Sequence, residues 1–125
     1  MTAARIALVI AGACALAACA SPRIAPGEPK VVTKLVLAPY ASHDDCVDLT
    51  PSDRLDYSFD STLPVTFGIR YRDGNVSVMP ITRERATSDA GIFAPVLARE
   101  YCLTWEAGGA GAVIDYRALI RRAGR

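Results

Sequence analysis

The chain of 125 residues is poor in the groups on which most enzymatic sites are built. It holds a single histidine, His43, and no Gly-x-Ser-x-Gly turn, so a serine triad has no exposed nucleophile to offer. It also lacks a Gly-rich loop followed by Lys-Ser or Lys-Thr, which argues against a phosphate-binding loop. Beyond residue 18 no apolar run approaches the roughly 20 residues a membrane-spanning helix needs. Basic excess is missing too: 14 Lys and Arg stand against 13 Asp and Glu, which gives no footprint for nucleic acid. No internal repeat and no cofactor motif is present. No catalytic residue and no cofactor are therefore expected.

What is present begins at the N-terminus. Arg5 is followed by the apolar run Ile6 to Leu16, the length of the core of an export signal. Ser21, Pro22, Arg23 and Pro26 follow too soon for a spanning helix to continue. Leu16-Ala17-Ala18-Cys19 then resembles the lipobox of bacterial lipoproteins. That resemblance implies cleavage before Cys19, lipid attachment at the Cys19 thiol and acylation of its new amino group. The absence of aspartate after Cys19, where Ala20 and Ser21 stand, is similar to outer-membrane members of the class and implies an outer-membrane, periplasm-facing anchor. Cys14 falls in the removed segment.

Residues 1–18 thus read as signal peptide and residues 19–30 as a lipidated, Pro-rich tether, extended at about 3.1 Å per residue. Residues 31–125 read as one domain, near the size where a single core gains from a covalent staple. Cleavage discards Arg5 and leaves thirteen charges of each sign. Cys46 and Cys102 are the cysteines left to pair in an oxidising compartment, with a solvent-facing Cys102 and a loop Cys46 as the alternative.

From Val31 onward the hydrophobic period is two. Leu55 to Asp60 and Val65 to Tyr71 alternate apolar and polar residues, the pattern of two strands with one buried face each. Asp73-Gly74 supplies a two-residue turn, and Val76 to Met79 returns to complete a hairpin. Pro80 to Pro95 reads as exposed loop, with a short strand at Ile92 and Phe93 as an option. Tyr101 to Glu106 is another strand, and Gly108 to Gly111 turns it into a second hairpin ending at Arg117. With Val31 to Leu37, these elements give an all-β fold, a small antiparallel β-sandwich of about six to eight strands. A helical turn is the expectation for Arg117 to Arg122.

The order Cys46, Leu55-x-Tyr57-x-Phe59, Val65-x-Phe67-x-Ile69-x-Tyr71, Tyr101-Cys102-Leu103-x-Trp105 and Tyr116 resembles the GOLD (Golgi dynamics) β-sandwich. In secretory members of that family an early cysteine pairs with one in a late strand, which implies a Cys46–Cys102 bond here. Many relatives place an asparagine shortly after the late aromatic strand, where this chain has Glu106-Ala107, and the coiled coil and C-terminal membrane helix of the cargo-transport members have no counterpart in this sequence. The resemblance therefore implies a fold and a generic contact with protein or lipid, without the transport role.

Asp44, Asp45, Asp48, Asp53, Asp56 and Asp60 crowd one stretch with Arg54 as the only nearby cation in sequence. Their spacing does not fit the EF-hand template, so the stretch Asp44 to Asp60 is expected to be a solvated loop and strand edge with no metal site. His43 reads as a loop residue. Two functions follow: a lipid-anchored, non-enzymatic module that binds another envelope protein, or a sandwich that binds a lipid or glycan on an aromatic surface. For the second, Trp105, Tyr71 and Tyr101 are the ligand-binding candidates.

Overall fold

A computed structural model describes residues 23–122; the signal segment and Cys19 lie outside them. Those residues form six strands and no helix: β1 (Lys30–Leu37), β2 (Ser42–Leu49), β3 (Asp53–Asp73), β4 (Val76–Phe93), β5 (Arg99–Ala107) and β6 (Ala112–Arg122). All named strand pairs are antiparallel, and the sheet runs β1-β6-β3-β5-β2 with β4 on the other edge of β3. The fold is all-β, as the alternation predicts.

The two alternating runs of the sequence are halves of one bent 21-residue strand, β3. Asp53 to Ser61 pair with β6, and Val65 to Arg70 pair with β5. The bend falls at Ser61-Thr62-Leu63-Pro64, where Pro64 has no N–H to give a ladder. There the Thr62 hydroxyl accepts the Val113 N–H at 3.0 Å in place of a backbone partner. β4 follows β3 around the bend through bulges, one of which holds Arg85 at φ 52°. The sheet thereby curls into two layers, β1-β6-β3-β4 over β2-β5-β3-β4, whose inward residues meet in one core.

Three expectations change. Pro80 to Pro95 is strand for most of its length, because β4 is held in register by β3 even though its side chains are largely exposed. Gly108 to Gly111 does not close a hairpin: β5 and β6 lie end to end along the same edge of β3, so the glycines arch from one layer to the other. The β1–β2 arch lies beside it, joined by Tyr40 N–H to Gly108 O at 3.0 Å and Ala107 N–H to Ala41 O at 2.9 Å. Gly111 is required there, since its φ is +70° and a Cβ would stand 2.5 Å from the Leu37 carbonyl oxygen. Arg117 to Arg122 continues β6 instead of turning into a helix, with Arg122 opposite Asp53.

The β3–β4 turn is correct in place and shifted by one residue. Asp73 pairs with Val76, so the two-residue loop is Gly74-Asn75, and only Gly74 has positive φ, as a type II′ turn requires. Upstream of β1, the described residues from Ile24 already pack on the domain. Ile24 is 4% exposed within the core, and Gly27 N–H bonds Ile120 O at 3.0 Å, so the chain is docked from Ile24 onward.

The core is built in two aromatic layers. At the arch end Phe59, Phe67, Trp105 and Tyr116 stack with neighbouring centroids 4.4–6.1 Å apart. At the opposite end Phe93, Tyr101 and Tyr71 meet edge to face at 5.1 and 5.4 Å.

Candidate functional site

Three features stand apart from the packed core: a polar clamp between β1 and β2, an apolar groove at the end opposite the arches, and the outer edge of β4.

The clamp lies where the two layers are not joined by a continuous strand. Lys30 on β1 reaches across to Asp45 on β2 at 2.7 Å, and both side chains are nine-tenths or more buried. The Tyr116 hydroxyl, from β6, donates to the same carboxylate at 2.6 Å. His43 Nε2 stands 3.3 Å from the Tyr116 oxygen. Alternation explains the convergence: His43, Asp45 and Val47 share the inward face of β2, while Asp44, Cys46 and Asp48 face outward. A buried charge needs a partner, and Asp45 has both a cation and a hydroxyl donor. Burial first, then the hydrogen bond to Asp45 and that residue's charge, push the Tyr116 hydroxyl far above its ordinary 10.0.

The acidic stretch is strand and tight turn, with Asp44, Asp48 and Asp60 exposed as a strand edge allows and no solvated loop beyond the turn at residues 50–52. Asp53 is buried, accepts the Thr50 N–H at 2.8 Å and faces Arg122. Asp44 pairs with Arg70 and Asp56 with Arg121. The cations that neutralise it come from distant strands, which local charge counting cannot see. His43 sits on β2, its ring 6.1 Å from that of Trp105.

The sign of the Tyr116 shift yields a prediction. In the unfolded chain this phenol ionises near 10, whereas folding holds it protonated, so the native state keeps a proton that the unfolded state loses. Stability from this group is full below pH 10 and falls as pH rises above it. Urea denaturation between pH 8 and about 11 is expected to show that fall in the parent protein and a flatter profile in Tyr116→Phe. Tyr57, raised by burial and by Asp89 and partly offset by Arg83, leaves a residual slope in the variant.

Cys46 and Cys102 are directly opposite one another on β2 and β5 and are joined as a disulfide. Glu100 is close to both sulfurs, but sulfurs bonded to each other are not available as metal ligands.

The groove has a volume of about 270 Å³ and is lined by Tyr71, Pro80, Phe93, Val96, Leu97 and Tyr101, with Ala94 between them. The Tyr101 hydroxyl donates to Leu97 O at 2.8 Å, which ties the β4–β5 loop to the sheet. Two of the aromatic candidates, Tyr71 and Tyr101, thus share one concave surface. The third, Trp105, is 1% exposed and lies in the other aromatic layer. Its Nε1 is the one buried side-chain polar atom without a hydrogen-bond partner among the described residues.

The outer edge of β4 is the feature that alternation in the sequence concealed. Among the described residues β4 pairs with β3 alone, so its far side carries backbone donors and acceptors with no neighbouring strand. Pro80, Arg83-Glu84-Arg85 and the Arg85 bulge blunt its first half, the usual protection of an open edge. From Thr87 to Ile92 no proline and no basic residue interrupts it.

No known protein family matches the chain, and no curated protein matches it in sequence.

Proposed function

We propose that this protein is a lipoprotein of the bacterial outer membrane, held through Cys19 on the periplasmic side, whose domain is a non-enzymatic docking module for another envelope protein. The observation that carries the interaction reading is the free edge of β4 from Thr87 to Ile92. An open edge adds a strand from a partner through main-chain hydrogen bonds, with side chains on alternate positions selecting the sequence. The lipobox-like Leu16-Ala17-Ala18-Cys19 supports the anchor. A GOLD-type domain is part of the same reading, supported by the sandwich and by the bond between an early and a late cysteine.

In-cell photo-crosslinking tests it. A photoreactive residue at Ser88 or Ala90 is expected to trap one discrete envelope protein, and the same residue at Arg117, on the outer face of β6, is not. Equal adducts from both strands, or none from β4, would reject edge docking.

The second reading, a small-ligand module, rests on the groove of Tyr71, Phe93 and Tyr101. Its volume falls just below the 300–1,000 Å³ usual for ligand pockets, so it suits a short apolar group rather than a whole glycan.

A further inference from the structure

The groove, the N-terminal segment and several of the exposed apolar side chains lie at one end of the sandwich. β3 runs from Asp53 at that end to the bend at Pro64 and back to Asp73, so both its termini return there. Val76 and Met79 of the β3–β4 hairpin and Val96 and Leu97 of the β4–β5 loop are exposed around it, Val96 at 83% and Leu97 at 43%. Arg72 and Arg99 are exposed beside them and have no ion-pair partner among the described residues. Glu28, Asp48, Asp73 and Glu100 are exposed acids of this end, Glu100 facing Arg23 at 3.7 Å.

That last contact locates the anchor. Glu100 is three residues past Leu97, and Arg23 lies against it. Between Arg23 and Cys19 stand only Ala20, Ser21 and Pro22, a span of at most about 14 Å when fully extended. Because Ile24 is buried in the core, the domain cannot lengthen this span without giving up that packing. A lipidated Cys19 therefore keeps the bilayer within that span of Arg23, which stands beside Glu100 and the outer part of β2.

We propose that this end rests on the bilayer, with Val96 and Leu97 entering the headgroup region and Arg72 and Arg99 meeting lipid phosphates. The proposal deepens the lipoprotein reading and rests on it. Exposed apolar residues next to free cations are the composition of an interfacial contact, in which the apolar groups leave water and the arginines stay with the headgroups. It also orients the domain: Tyr40, on the β1–β2 arch and 75% exposed, is held at the far end. The Thr87 to Ile92 edge then stands upright on the membrane, open to a partner from the side.

The test uses the full chain, processed in cells and returned to vesicles of phosphatidylethanolamine and phosphatidylglycerol that carry a nitroxide lipid. With Cys19 acylated and Cys46 bonded to Cys102, Val96→Cys supplies the one free thiol for an environment-sensitive fluorophore. Emission is expected to rise several-fold on reconstitution and to be quenched by the nitroxide, whereas a label at Tyr40→Cys is neither brightened nor quenched. Leu97→Cys gives a second reading from the same loop. Equal behaviour at residues 96 and 40, in protein whose mass shows an acylated Cys19, would overturn the docking face while sparing the anchor. A mass showing unacylated Cys19 would overturn the anchor, and the docking face with it.

Discussion

Removing the Cys46–Cys102 bond is expected to lower stability by about 4 kcal/mol, the chain-entropy value for a closed loop spanning 56 residues. That loss is comparable with the whole stability of a small domain, so the reduced protein is expected to unfold near physiological temperature. The bond joins β2 to β5, its only strand neighbour among the described residues, and β2 is otherwise an edge strand of eight residues. Without it, β2 is held by its ladder, by the inward Val47 and Leu49, and by the Lys30–Asp45 contact. Thermal melts with and without reductant measure the effect, and thiol titration of the mature protein is expected to find no free thiol. Two reactive thiols, or an unchanged melting temperature after reduction, would refute the assignment.

Asp45→Ala is expected to lower stability by about 3–5 kcal/mol, because it leaves the Lys30 ammonium buried without its counter-charge and the Tyr116 hydroxyl without its acceptor. The loss comes from the orphaned partners more than from the attraction itself. Exchanging the charged pair for apolar residues, Lys30→Met with Asp45→Leu, is therefore expected to recover much of it, with Tyr116 still able to meet His43. Urea midpoints of the single and double variants separate the cases. If the double variant is no more stable than Asp45→Ala, the network contributes through its geometry and not through compensation of charge.

Legibility in the sequence tracked the range of the interaction. The strands around Tyr57, Phe67, Trp105 and Tyr116 were readable because alternation is a local property: one face is apolar, the other is not. The β3–β4 turn was readable because Gly74 answers a local demand for positive φ. The edge strand β4 was not, since Arg83-Glu84-Arg85 and Thr87-Ser88-Asp89 bury neither face and hold their extended form only through the ladder to β3. The Asp45 clamp was hidden for a related reason. An aspartate among aspartates looks solvated until the fold brings Lys30 and Tyr116 from other strands to meet it.

The sequence by itself determined the all-β class, the inward set of apolar residues and the availability of Cys46 and Cys102 for one bond, because each follows from residue type and spacing of two. It also carries the lipobox-like segment whole, since that motif is read as linear chain. Tertiary structure alone decided that Leu55 to Phe59 and Val65 to Tyr71 belong to one bent strand, and that the Gly108 to Gly111 segment crosses between layers. It likewise decided which tyrosines share a groove and that the single tryptophan, Trp105, is sealed in the core. These outcomes depend on strand order, and strand order is set by the simultaneous burial of faces far apart in the chain, which no local window of sequence contains.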